Sequence, residues 1–158
     1  MKNIFLVLLL SSFCSFAQKK LPNVTLNNLD GKSVSIVTDY AEKDKLYVFS
    51  FWATWCTPCI NELDELNELQ NDWKKELNVE FIAISIDDSR TQKRVKPLVK
   101  GKEWAFNILL DSNQDLKRAL SIVNVPYTLV VKNGIIVHVQ NGYTPGSENE
   151  LLEKLKSL

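Results

Sequence analysis

The sequence is poor in cysteine and histidine, carries no net charge and holds no apolar run of bilayer-spanning length. It has three cysteines and a single histidine, His138, among 158 residues. One Cys-x-x-Cys pair with one histidine falls short of the four ligands of a structural zinc site, so no metal site is expected. Nineteen basic side chains balance 19 acidic ones. There is no basic stripe of the kind that grips nucleic acid, and no nucleic-acid partner is expected. No internal repeat or low-complexity tract divides the chain. What remains is an ordinary globular mix, 45% apolar and 24% charged, long enough to bury the core of one domain. The run Lys93-Arg94-Val95-Lys96 reads as a solvated helix face.

The first residues stand apart from the rest. Lys2 gives a positive start, Ile4 to Leu10 an apolar stretch, and Ser15-Phe16-Ala17 a small-x-small cleavage signal. That pattern predicts a secretory signal peptide over residues 1–17, cut after Ala17, and a mature domain over residues 18–158 outside the cytoplasm, in the periplasm. The apolar stretch is short against the roughly 20 residues of a spanning helix. Retention as an uncleaved anchor is the alternative. Cys14 follows Phe13, where lipid attachment needs a small residue, so Cys14 is assigned to the discarded segment.

Only Cys56 and Cys59 remain in the mature chain. An exported protein works where disulfides persist. A bridge between residues this close closes a tiny loop, however, and restricts the unfolded chain little. A structural staple is therefore a poor account of the pair. Two thiols at i and i+3, after an apolar run and before an amphipathic helix, suit thiol–disulfide exchange better.

Patterning gives the frame. Val24 to Leu29 and Ser33 to Val37 flank Asp30-Gly31 and read as a β-hairpin. Leu46 to Trp52 is a continuous apolar run, as in a strand covered on both faces. Ile60, Leu63, Leu66, Leu69, Trp73 and Leu77 recur at helical steps. Val79 to Ile86 is a second buried strand. Ser89 to Lys100 reads as a helix with Val95, Leu98 and Val99 apolar, in which Pro97 removes one donor. Phe106 to Leu110 reads as a short strand, and Leu116, Ala119, Leu120 and Val123 as a short helix. Tyr127 to Val131 and Ile135 to Val139 form a hairpin through Asn133-Gly134. Ser147 and Glu150 form a capping box that opens a last helix. Strands alternating with helices imply an α/β fold, with a parallel section and antiparallel additions.

The segment from Ser50 to Cys59, SFWATWCTPC, resembles the active-site segment of thioredoxin-like proteins. Val125-Pro126-Tyr127-Thr128, followed by Lys132-Asn133-Gly134, resembles that fold's cis-proline loop and closing hairpin. The leader, the N-terminal hairpin and the added segment around residues 87–115 are similar to the TlpA/ResA-like extracytoplasmic thiol-disulfide oxidoreductases. The likeness covers roughly residues 21–158. It implies a thioredoxin-like fold, a central mixed β-sheet flanked by helices, with an N-terminal hairpin and a central insert. It also implies that Cys56 is the nucleophile and Cys59 the resolving thiol, with no cofactor. A helix N-terminus at Cys56 would favour its thiolate. Glu62 is expected to assist proton transfer at Cys59. Trp55, Pro58, Val125 and Pro126 are expected to face substrate, with Pro126 in a cis peptide. Trp52, Trp73 and Trp104 are assigned to packing. Two departures stand out. Ser50 replaces the buried Asp of cytoplasmic thioredoxins. Asp64 replaces a proline that often kinks the helix, which puts the reach of Glu62 in question.

The implied partners are disulfide-bearing extracytoplasmic proteins, apocytochrome c among them, and a thiol-type electron donor in the membrane. The favoured direction is reduction. Alternatives are a thiol oxidase or isomerase on the same fold, and a Sco-like copper carrier using the two cysteines with His138. That copper family has three residues between its cysteines, and this chain has two. A peroxiredoxin's P-x-x-x-T-x-x-C pattern meets Phe49 and Ala53 instead. A non-catalytic binding module on this scaffold would usually have lost a cysteine.

Overall fold

The computed structural model describes residues 19–158; the expected signal peptide and Cys14 lie outside the described residues. In chain order the strands are β1 (Thr25–Asn28), β2 (Ser33–Ser35), β3 (Leu46–Trp52), β4 (Val79–Ser85), β5 (Asn107–Leu110), β6 (Tyr127–Lys132) and β7 (Ile135–Asn141). The helices are α1 (Thr57–Glu76), α2 (Val95–Gly101), α3 (Asp115–Ala119) and α4 (Ser147–Lys156). One sheet takes all seven strands in the order β2-β1-β5-β4-β3-β6-β7. β3 pairs parallel with β4, and β4 with β5; β6 and β7 extend the sheet antiparallel on one side, β1 and β2 on the other. This is the thioredoxin-like mixed sheet expected from the sequence.

Every residue of β3 is buried, as a strand with helices over both faces requires. The two hairpins turn where the sequence places them. Asn133 and Gly134 both have positive φ, 52° and 74°, the pair of angles a two-residue hairpin needs. The expected apolar stripe of α1 faces the core: Leu63, Leu66 and Trp73 are buried, and Ile60, Leu69 and Leu77 pack against it half-buried. Glu62 and Gln70 are buried on the helix as well. Two expectations are corrected. First, Ser147 does not cap α4. Gly146 holds the cap position at φ 97°, and the Glu148 carboxylate accepts its N–H at 3.0 Å. Second, Val123 lies beyond α3 and is 79% exposed. The helix ends at Ala119, and Ser121 turns the chain at φ 60°.

The segment from Ser89 splits into a 3-10 turn, Gln92–Arg94, followed by α2. Pro97 falls in the first turn of α2, where its missing N–H leaves no hydrogen bond unmade. The basic side chains Lys93, Arg94 and Lys96 are exposed while Val95 is fully buried. The segment is joined to α1 through Asp64, whose carboxylate accepts from Lys102 Nζ at 2.6 Å and Trp104 Nε1 at 2.9 Å. Among the described residues no helix is long and apolar enough to cross a membrane.

Candidate active site

β3 runs out at Trp52, the chain turns through Ala53-Thr54-Trp55, and α1 begins at Thr57. The turn is closed by Cys56 N–H donating to Ala53 O at 3.0 Å. Cys56 is the N-cap of α1, with extended backbone angles, and its Sγ accepts from Cys59 N–H at 3.3 Å. A sulfur in that place meets the unpaired amides and positive end of the helix dipole. Cys56 and Cys59 are disulfide-bonded, with Cα atoms 5.3 Å apart. Cys56 retains 5% exposure and Cys59 none. Pro58 lies in the first helical turn and faces solvent.

β6 is antiparallel to β3, so its first residue, Tyr127, lies opposite Phe51, near the end of β3 that carries the dithiol. The Val125–Pro126 peptide just before it is cis. Pro126 O accepts from Gly142 N–H at 2.9 Å, tying this loop to the chain leaving β7. Val125 is half-buried and Pro126 buried. Val125 shares a hollow of about 230 Å³ with Trp55, Val123 and Asn124. Trp55 is 59% exposed. Trp52, Trp73 and Trp104 are all in the core. The topology thus brings Trp55, Cys56, Pro58, Val125 and Pro126 to one end of the sheet.

Glu62 is 3% exposed, on the inner face of α1. Ser50 Oγ donates to one carboxylate oxygen at 2.9 Å, and Thr128 Oγ1 to the other at 3.0 Å. Ser50 and Thr128 are directly opposed on β3 and β6, so one cross-strand pair of hydroxyls receives both oxygens. Burial pushes the Glu62 carboxyl up to about 7 against the opposing pull of the two hydroxyls. Where cytoplasmic thioredoxins carry an Asp on the strand, this chain has a serine that binds a carboxylate arriving from the helix. α1 runs unbroken past Asp64, and Glu62 still reaches the sheet.

A second buried carboxylate lies near the dithiol segment, at a position no motif marks. Asp87, 1% exposed, follows β4. It accepts from Thr54 N–H at 2.8 Å, Thr54 Oγ1 at 2.6 Å and Ser85 Oγ at 2.8 Å. The available signal was a charge placed just past the carboxyl end of an apolar strand, where open α/β sheets build their sites. His138 is not brought to the dithiol end: it lies on β7 opposite Val130. Its pKa is lowered by partial burial and by Lys154. Among the described residues no three His, Cys, Asp or Glu side chains cluster as metal donors.

A mixed sheet, a Cys-x-x-Cys pair capping the helix that leaves its central strand, and a cis-proline at the same end define a thioredoxin-like protein. The AhpC/TSA family model matches residues 17–139. The chain is 30% identical over 139 residues to the thiol-disulfide oxidoreductase ResA of Bacillus thuringiensis subsp. konkukian, covering 87% of this chain and 77% of that one. The solution structure of a thioredoxin-like protein from Porphyromonas gingivalis aligns with TM-score 0.75 and 43% identity, over 87% of this chain and 90% of that one. StoA from Bacillus subtilis has the same fold, with TM-score 0.67 and 21% identity, over 84% and 97% of the two chains. The chain belongs to the AhpC/TSA family and is a thiol-disulfide oxidoreductase of the ResA type.

Proposed function

We propose that this protein reduces disulfides in extracytoplasmic proteins through Cys56 and Cys59. The observation that carries the reading is the placement of Cys56 as the N-cap of α1, at the end of the sheet that holds the cis Val125–Pro126 peptide. In the reduced protein the Cys56 thiolate attacks a substrate disulfide. A Cys56–substrate bond forms, and one substrate sulfur leaves as thiolate and takes a proton from solvent. Cys59 then gives its proton to Glu62 and attacks Cys56 Sγ, closing the 56–59 disulfide and releasing the second substrate sulfur. Two electrons pass to the substrate, and the oxidised pair is re-reduced by a dithiol donor in the membrane. Trp55, Pro58, Val125 and Pro126 form the surface on which an extended substrate segment lies, with the Val125 backbone available for strand-like pairing. Residues 1–17 direct export to the periplasm. Apocytochrome c is a fitting substrate class by likeness to the family.

Redox titration of the pair tests the direction. A potential near ~−270 mV fits a reductase, while one near ~−120 mV is that of a strong oxidant and would overturn the reading. A Cys59→Ala variant should accumulate mixed disulfides on Cys56, and mass spectrometry of them names the clients. Iodoacetamide trapping of the reduced protein should place the Cys56 thiol below the ordinary ~8.5; an ordinary value would remove the nucleophile assignment.

A further inference from the structure

Asp87 takes no part in the exchange steps above, yet its carboxylate is among the most fully engaged side chains in the molecule. Both of its oxygens are directed at one residue, Thr54. Oδ2 accepts the Thr54 backbone N–H at 2.8 Å and Oδ1 accepts the Thr54 hydroxyl at 2.6 Å. The carboxylate is itself fixed from β4, where Ser85 Oγ donates to Oδ2 at 2.8 Å and accepts Asp87 N–H at 3.1 Å. Ile86 N–H adds a bond to Trp52 O at 2.9 Å. The clasp therefore joins the end of one central strand to the loop that leaves its neighbour.

We infer that Asp87 is a positioning residue that holds Thr54, and through it the exposed Trp55, in the shape that admits protein substrates. Bonds to a carboxylate are stronger than neutral ones. Held at both its amide and its hydroxyl, Thr54 cannot turn without breaking two of them. Trp55 comes next in the chain and is largely exposed, so its placement is set mainly by the backbone behind it. It forms a wall common to two hollows. One, of about 360 Å³, is shared with Asp88, Arg90 and Gln114. The other, of about 230 Å³, is shared with Gln114, Val123 and Val125. A shift of Trp55 alters both hollows, while Cys56 still accepts Cys59 N–H at its sulfur and Ile60 N–H at its carbonyl in α1. A substrate long enough to lie across the hollows feels the change. A small disulfide that meets only Cys56 does not.

The inference rests on the proposed dithiol chemistry, and the test keeps the two apart. Reduction of insulin and of glutathione disulfide is compared in the wild type, Thr54→Val, Thr54→Ser and Asp87→Asn. Thr54→Val, which loses the hydroxyl and keeps the shape, should raise KM for insulin about tenfold with kcat within about twofold. Its kcat/KM on glutathione disulfide should stay within about twofold. Thr54→Ser, which keeps both donors, should behave as the wild type. Asp87→Asn, left with one acceptor oxygen, should follow Thr54→Val in direction. Equal losses on both substrates, or insulin kinetics unchanged in Thr54→Val, would overturn the positioning role. Wild-type protein that reduces neither substrate would instead sink the dithiol reading.

Discussion

Glu62 and Asp87 are both buried carboxylates next to the dithiol segment, and they are held by different kinds of donor. Glu62 comes from the helix after the cysteines and meets two hydroxyls, one from each of two paired strands. Asp87 comes from the strand end and meets a backbone amide and two hydroxyls, with both oxygens spent on the loop before the cysteines or on its own strand. For Glu62, burial outweighs the hydroxyls and the acid sits at about 7, where it can take or give a proton near neutrality. The amide that Asp87 binds belongs to the backbone it must hold in place. In the proposed exchange Glu62 offers its carboxyl for proton transfer, while both oxygens of Asp87 are engaged by Thr54 in the loop before the cysteines.

Glu62→Gln tests this contrast most strongly. Without a proton acceptor, closure of the 56–59 bridge should slow by roughly 10²-fold, read as kcat in steady-state reduction. In the wild type the basic form of Glu62 fills in as pH rises through about 7, so kcat should climb across that range and level off above it. The Gln variant should show no such rise. Asp87→Asn should keep it; if that variant abolished the inflection, the two carboxylates would have exchanged roles. Stability carries the same signature with the opposite sense. Below the ordinary value of 4.5 both folded and unfolded Glu62 are protonated, and nothing is lost. Between 4.5 and about 7 the unfolded chain releases a proton that the folded one keeps. Stability therefore falls through that window by about 3 kcal/mol and stays lower above it. Denaturant unfolding of the oxidised protein, whose bridged cysteines do not titrate, from pH 4 to pH 9 should show the fall in the wild type and lack it in Glu62→Gln.

A smaller effect comes from the hydroxyls. Thr128→Val removes one donor to the charged carboxylate, so the kcat inflection should move to higher pH. The loss of stability, about 1–3 kcal/mol for a bond to a charged group, should show above that inflection and shrink at acid pH. A loss equal at all pH values would mean that the hydroxyl serves packing alone.

The frame of the fold was legible because it is written in local pattern. The unbroken apolar run of β3, the Asn133-Gly134 turn and the cysteine spacing each have a single economical reading. The Ser50–Glu62–Thr128 and Thr54–Asp87 contacts were not legible, because each joins residues distant in sequence and depends on strand register. Ser50 showed only an acid missing from β3; that the carboxylate returned from α1 emerged when the cross-strand pair was in place. The cis state of Pro126 came from likeness to a family, since the residue alone favours trans. Local rules also misled where the backbone left ordinary angles. Ser147 looked like a cap until Gly146, at φ 97°, took that place. Val123 continued a helical pattern that Ser121 had already broken.

Asp64 offers the mildest perturbation, a carboxylate bound like the other two but half-exposed. Its ion pair with Lys102 joins side chains that are 35% and 40% exposed, so screening leaves it worth no more than ~0.5 kcal/mol. Its bond to Trp104 Nε1 differs, because Trp104 is 6% exposed and a buried N–H left unpaired costs about 1–3 kcal/mol. Lys102→Ala should therefore leave the urea midpoint almost unmoved, and Asp64→Ala should lower it at constant m by the equivalent of about 1 kcal/mol or slightly more. Equal losses in the two variants would show that the exposed ion pair, and not the indole, joins the insert to α1. Burial would then not be what separates a carboxylate that matters from one that does not.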